Sequence, residues 1–430
     1  MKKTLRDLFV RDKKVLVRAD FNVPLDKNGK IVSNVRITSE LPTINYLLSQ
    51  NAKVILCSHL GRPDGQENMK YSLRPVFEEL KRLLPNKKIY FCPVPFGEQA
   101  YQMANQLENG EILLLENLRF SPLEEENSDV MARELSSLCD CFVFDAFGTS
   151  HRKHASTVGV SKYVESAMGF LVEKEVSTFE KIMKEPERPF VAVLGGAKVS
   201  DKIDVVKNLL DKVDVVLIGG GMCFSFIKAI KGEVGKSIVD DSKLDFCYSV
   251  IREAINKKVE IILPVDFICA ENLDDVVGTA CYMLDEIPED KMGLDIGPRT
   301  VSLFAEYLKN ARTVVWNGPM GVYERELFAG GTRSVAELIA KNKKCTSVAG
   351  GGDVVGAIEK YKLQDKFSHI STGGGASLKL LEGKELAAIA ALSEKGEWWE
   401  KIFCLRATLK TIWLMSMNIN HFWQKQTKKT

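Results

Sequence analysis

The sequence is poor in the signatures that settle a function quickly, and each absence removes a class. Its ten cysteines include no C-x-x-C pair and no cysteine–histidine spacing of the kind that holds a metal. Cys139 and Cys141 fall in or beside an apolar strand-like run and are expected to be buried structural thiols, in a chain kept reduced in the cytosol. No apolar run approaches the length of a membrane span, and MKKTLRDLFVRDKK at the N-terminus has too short an apolar stretch for a signal peptide. A formal charge of +2 gives no general attraction to nucleic acid or to a membrane surface, so any basic patch must be local. The Walker pattern G-x-x-x-x-G-K-[ST] is missing, although VLGGAKVSDK (193–202) comes near it, with adjacent glycines and a lysine two residues on. A dinucleotide fingerprint is missing too. Its nearest match, Gly350 to Gly356, has one residue too many and comes late in the chain.

What is present is an ordinary soluble composition, 45% hydrophobic and 27% charged, in 430 residues, enough for two or three domains. Short β-rich runs alternate with helix-like segments, the pattern of parallel α/β sheets. Strand candidates in the first part are 15–21, 53–59, 88–92, 111–118 and 141–147. In the second they are 190–196, 213–221, 259–267, 313–319, 345–353 and 369–375. Between the two sets, residues 163–189 have a helical pattern closed by Pro186 and Pro189, the natural boundary and a possible hinge.

Ligands of open parallel sheets bind beyond the carboxyl ends of the strands, and here those ends differ between the halves. The first half offers Asp20 and Asn22, then His59 and Arg62, Arg119, and His151, Arg152 and His154, with Arg36 in the segment after the first strand. The second offers Gly195-Gly196, Gly219-Gly220-Gly221, Gly318, Gly350-Gly351-Gly352 and Gly373-Gly374-Gly375. A lone arginine after a strand is ordinarily a solvated loop residue. Four of them with a histidine, in successive β-α units, point to a pocket for a small multiply charged anion. Repeated glycines before helical segments let backbone N–H groups approach phosphates. Phosphoryl transfer, which needs positioning and positive charge, fits both halves.

The motifs ADFNVPL (19–25), SHLGRP (58–63), ENLRF (116–120), DAFGTSHRKHAS (145–156), LGGAKVSDKI (194–203), WNGPMGVYE (316–324), GGGD (350–353) and STGGGASLKLLEGK (371–384) resemble the phosphoglycerate kinase family, in the family's order, from about residue 4 to residue 394. The resemblance implies an α/β protein of two Rossmann-like domains with parallel sheets, joined by a helical hinge, whose C-terminus returns to the N-terminal domain. The expected boundaries are 1–168 for the phosphoglycerate-binding domain, 169–189 for the hinge, 190–372 for the nucleotide-binding domain, 373–395 for the returning segment and 396–430 for an atypical tail. It implies reversible phosphoryl transfer between MgATP and the carboxylate of 3-phosphoglycerate by a cytoplasmic monomer, without nucleic acid or membrane partners. Asp20, Asn22, Arg36, His59, Arg62, Arg119 and Arg152 would bind 3-phosphoglycerate. Gly195, Lys202, Gly219, Gly293, Asn317, Pro319, Glu324, Gly351, Gly352, Asp353 and Val354 would bind the nucleotide, with Asp353 touching Mg2+. Arg36, Lys198, Lys202, Gly373 and Gly374 would act on the migrating phosphoryl group.

A carboxylate nucleophile is already ionised, so no general base is required, and the obstacle is repulsion between two anions. Arg36 and Lys198 are the expected main pair, and the spacing of Lys198 and Lys202 places them on one face of a helix. The chain departs from the family at Val354, where a hydroxyl residue is usual, at Phe144 before the DAFG motif, and at Leu386-Ala387-Ala388 after LEGK. Residues 396–430 hold four of the five tryptophans without clean periodicity, and are expected to be a poorly ordered extension, with a basic amphipathic anchor as the alternative. A nucleotide-binding scaffold that has lost catalysis, and another kinase forming an acyl phosphate, are the competing functions.

Overall fold

The computed structural model describes residues 1–396, and the chain divides into two compact units. The expected tail therefore lies, but for Gly396, outside the described residues.

The first unit comprises Met1–Ala146, Arg152–Glu173 and the described residues from Ala387 onward. Its strands are β1 (Lys14–Arg18), β2 (Lys53–Cys57), β3 (Ile89–Cys92), β4 (Ile112–Leu115), β5 (Cys141–Phe144) and β6 (Ser166–Met168). They form one parallel sheet in the order β3-β4-β2-β1-β5-β6. KVLVR, KVILC, ILLL and CFVF are near-continuous apolar runs because strands covered on both faces bury every side chain. Cys139 and Cys141 are buried, as expected, and burial pushes the Cys141 thiol up to about 12. The two ends of the described chain meet in this unit. Lys3 N–H donates to Ser393 O at 2.9 Å, and the terminal amine pairs with Glu394 at 2.8 Å.

The second unit comprises Phe147–His151 and Lys174–Leu386. It contains β7 (Phe190–Leu194), β8 (Val215–Ile218), β9 (Glu260–Ile262), β10 (Asp266–Ala270), β11 (Ala280–Met283), β12 (Met292–Ile296), β13 (Thr313–Asn317), β14 (Thr346–Gly350) and β15 (His369–Ile370). Six are parallel, in the order β9-β8-β7-β13-β14-β15. Without the intervening β10–β12 this is the 3-2-1-4-5-6 order of doubly wound folds, with its switch point between β7 and β13. Strands β10, β11 and β12 form a separate antiparallel sheet.

Three expectations change. The run 259–267 is two strands in two sheets, because Pro264 has no N–H to continue a ladder. The helix in 163–189 covers only Phe170–Lys184, preceded by β6, and the division between the units falls inside it. The return to the first unit begins at Ala387 rather than residue 373. Residues before it are anchored in the second unit, where Asn208 Nδ2 donates to Leu381 O at 2.7 Å and Lys384 pairs with Asp204 at 2.6 Å.

Candidate functional site

In the first unit the candidate residues gather where β1, β2 and β4 end. Asp20 accepts a hydrogen bond from Arg36, which sits in the first turn of the Val35–Ser49 helix. Asn22 Oδ1 accepts the Gly61 N–H at 2.9 Å, and the Gly61 carbonyl accepts from Arg119 Nη1 at 2.9 Å. Arg119 is almost wholly buried and also pairs with Glu125 at 3.0 Å.

His59 owes its state to a residue that the strand pattern concealed. Arg18 is fully buried at the end of β1, donating from Nε to Ser156 Oγ at 2.8 Å and from Nη1 to Ala19 O at 2.6 Å. Its Nη2 lies 3.2 Å from His59 Nδ1. A guanidinium can only donate, so Nδ1 accepts and the ring proton resides on Nε2. Burial first, then Arg18, Arg119, Arg36 and Arg152, hold the imidazole well below its usual pKa. His59 therefore presents a neutral ring N–H, and the positive charge acting on it comes from arginines. Arg62 is exposed, and neither it nor Arg152 makes an ion pair among the described residues. His151 and His154, grouped with Arg152 in the sequence, separate. His154 stays beside Glu124 at 3.7 Å, whereas His151 belongs to the second unit, near Gly375.

In the second unit the glycine-bearing strand ends form one wall. Gly195 N–H donates to Asn317 O at 3.0 Å, Gly196 N–H to Pro319 O at 2.9 Å and Gly220 N–H to Met320 O at 3.1 Å. Gly220 has φ +62°, and a Cβ there would stand 2.6 Å from Gly196 N. The backbones can approach this closely only without a side chain. A Cβ on Gly219 would meet Met320 Sδ at 2.5 Å, so that glycine admits the methionine.

A cavity of about 260 Å³ opens at this wall, and Gly293, Pro319, Glu324 and Asp353 are among the residues that line it. Sequence reasoning missed its apolar side, formed by Phe224, Phe267, Ile238, Met292, Met320 and Val322. These residues look like ordinary core in the sequence, and only the fold turns them towards a ligand-sized space. Asp295, also in the lining, accepts N–H bonds from Ile296 at 2.9 Å and Gly331 at 2.6 Å, and burial pushes its carboxyl up to about 7.

Beside the cavity, two helices start close together. Gly351, with φ +100°, caps the Gly352–Lys360 helix, and Gly373 caps the Gly374–Leu381 helix. A Cβ on Gly374 would lie only 3.4 Å from Gly352 N. Free N–H groups at two helix starts, with the half-buried Lys202, suit a polyphosphate. Lys202 donates to Asn317 Oδ1, while Asn317 Nδ2 donates to Gly350 O at 2.9 Å, so the ends of β13 and β14 orient the lysine. Burial lowers the Lys202 amine to about 8, with Asp201 and Asp353 opposing that shift.

One detail differs from expectation. Lys198 and Lys202 do not share a helix face, since Lys198 is extended and caps a short 3-10 turn, Val199–Lys202, before the Ile203–Leu209 helix. The turn leaves Lys198 exposed and draws Lys202 inward. Val354 is fully buried in the core with Val193, Trp316 and Ala349, so its side chain serves packing while its N–H remains in the helix's first turn.

The phosphoglycerate kinase family model matches residues 5–384. The chain belongs to the phosphoglycerate kinase family. It is 49% identical over 403 residues to the phosphoglycerate kinase of Koribacter versatilis, covering 92% of this chain and all of that one. It is 50% identical over 397 residues to the phosphoglycerate kinase of Pseudothermotoga lettingae, with the same coverage. Among solved structures, the phosphoglycerate kinase of Coxiella burnetii superposes with a TM-score of 0.84 at 38% identity, over 92% of this chain and 100% of that one. That of Pyrococcus horikoshii gives 0.78 at 35% identity, over 91% and 98%. As a member of the phosphoglycerate kinase family, the protein is a kinase.

Proposed function

We propose that the protein transfers a phosphoryl group reversibly between MgATP and the carboxylate of 3-phosphoglycerate, yielding 1,3-bisphosphoglycerate and ADP, as a cytoplasmic monomer in glycolysis and gluconeogenesis. The observation that carries this reading is the division of labour between the units. One gathers Arg36, Arg119 and Arg152 around a neutral His59, and the other builds a glycine wall, an apolar cavity and two helix starts around Lys202.

The first set suits a small anion carrying a carboxylate and a phosphate, bound by arginine forks and the His59 N–H. Asp20 and Asn22 hold Arg36 and the Gly61 loop and leave acceptors for hydroxyl groups. The apolar cavity takes an aromatic base, and Lys202 with the N–H groups of Gly352–Val354 takes the phosphates. Among the described residues no three His, Cys, Asp or Glu side chains converge as a metal cage. Exposed Asp353, in the cavity lining, fits a magnesium ion bound mainly by nucleotide phosphates, since that ion commonly uses one or two carboxylates. When bound, the ion neutralises charge on those phosphates. Arg36 and Lys198 would meet the migrating group from opposite sides when the units close on both substrates. The N–H groups of Gly373 and Gly374 would add donors. Closure would also exclude water from an acyl phosphate that water destroys.

The test is ADP formation from ATP with and without 3-phosphoglycerate. ADP should appear only with the acceptor, and no labelled protein should be trapped from γ-labelled ATP. Turnover that ignores the acceptor, or a phosphorylated enzyme, overturns direct transfer.

A pH dependence follows from Lys202. Its amine, lowered to about 8, is charged below that pH and neutral above it, so nucleotide affinity should fall as pH rises through 8. Calorimetric ADP titrations should show weakening of up to about tenfold per pH unit there, the limit for loss of one proton. Lys202→Arg, charged throughout, should flatten the slope. The same shift raises stability with pH between about 8 and the ordinary lysine value, because the unfolded chain then holds the extra proton.

A further inference from the structure

Behind Asp20 the first unit buries two more carboxyl groups that the proposed reaction does not use. Glu40 and Asp145 are both 0% exposed. Each has one oxygen satisfied, Glu40 Oε1 by the Asp20 N–H at 2.8 Å and Asp145 Oδ1 by the Val172 N–H at 3.0 Å. Glu40 Oε2 and Asp145 Oδ2 are buried without a donor, and the two carboxyl groups are hydrogen-bonding neighbours. Two ionised carboxylates cannot stand side by side in a dry interior. One proton between them removes a charge and turns two orphaned acceptors into a hydrogen bond.

We propose that Glu40 and Asp145 share a single proton, and that this pair positions Arg36 for the substrate. Glu40 lies four residues after Arg36, on the same face of the Val35–Ser49 helix. It fixes the Asp20 backbone, and the Asp20 carboxylate in turn holds the Arg36 guanidinium. Asp145 and Thr43 carry the connection onward, accepting the N–H groups of Val172 and Phe170 at the start of the Phe170–Lys184 helix. The substrate arginine and the first turn of that long helix are thereby tied to one protonated pair.

The surroundings agree. The charged groups acting most strongly on Glu40 are Asp145 and Asp20, both acidic, and Asp145 faces the Thr43 hydroxyl and the N–H groups of Leu171 and Val172. Burial pushes both carboxyls upward, Glu40 far above its usual value and Asp145 to about 6.

The inference rests on Arg36 binding 3-phosphoglycerate, and the test keeps the two apart. Isotope-edited infrared spectra of the full chain with labelled glutamate and aspartate should contain a protonated buried carboxyl at neutral pH. No such band overturns the shared proton, whatever the kinetics. In steady-state assays from about pH 6 to pH 9, the KM for 3-phosphoglycerate should rise several-fold over the interval in which the band is lost, with the KM for ATP unmoved. Glu40→Gln, which supplies a neutral donor, should keep kcat within about threefold at neutral pH and abolish that rise. A KM that stays flat while the wild-type band titrates overturns the positioning role without any variant. A glutamine variant with the wild-type profile overturns it as well. A protein inactive towards 3-phosphoglycerate defeats the reading of Arg36 itself, and leaves the band to decide the proton.

Discussion

Arg36→Ala should lower kcat by roughly 10²–10³, the usual loss when one preorganised donor to a developing charge is removed. The residue is fit for that role because its guanidinium is placed in advance. Asp20, itself buried, holds one edge, and the first turn of the Val35–Ser49 helix supplies the backbone. About a third of the side chain remains accessible, so the other edge is open to a ligand. The same substitution leaves the Asp20 carboxylate without its cation, so some stability should be lost as well. For a partly buried pair this should be about 1–2 kcal/mol, below the 3–5 kcal/mol of fully buried ion pairs. The measurement is therefore kcat and KM for 3-phosphoglycerate, with chemical denaturation of the same preparation. Arg36→Lys separates the effects. It restores a cation to Asp20 and recovers the stability, but a point charge cannot repeat the guanidinium fork, and most of the lost rate should stay lost. A kcat within threefold of wild type for Arg36→Ala would remove Arg36 from the chemistry.

The parallel sheets were legible in the sequence because their strands are buried on both faces and so appear as unbroken apolar runs, as in ILLL and FVAVL. Where that condition fails, so does the reading. Strand β11, ACYM, buries none of its four positions fully, and β12, MGLDI, interrupts its apolar run with a glycine and an aspartate, so neither stands out as a strand. The run 259–267 looked continuous because apolar residues flank Pro264, and only the missing N–H of the proline separates its halves.

The candidate site divides in the same way. Polar residues and glycines after strand ends stand out against an apolar background, which is how Asp20, His59, Arg119, Gly195 and Asn317 could be found. Arg18 is equally polar but is the last residue of a strand, where nothing in the sequence says that a charge is wholly buried. Glu40 is disguised differently. In a helix, a glutamate beside serine and threonine looks like solvated surface, and only packing against Asp20 and Asp145 makes it core. The fate of the two lysines after β7 could not be foreseen from spacing, because a 3-10 turn alters the rotation per residue.

That turn makes Lys198 the cleaner of the two for a decisive substitution. Lys202 is half-buried and bonded to Asn317, so removing it disturbs the ends of β13 and β14. Lys198 is exposed and extended, and makes no ion pair among the described residues. Lys198→Ala should therefore leave stability within about 0.5 kcal/mol, as exposed substitutions usually do. If Lys198 meets the phosphoryl group in flight, kcat should nevertheless fall by about 10²–10³, or roughly 2.7–4 kcal/mol of barrier, with ADP binding unchanged. A flexible exposed lysine that serves only solubility predicts the opposite, an unchanged kcat. The double variant then asks whether Arg36 and Lys198 act on the same group. Independent residues should give additive losses, whereas two cations on one transferring phosphoryl group should give a combined loss well short of the sum. Additivity would place the two residues in separate steps, one for each substrate, and would overturn their pairing even if each single loss is large.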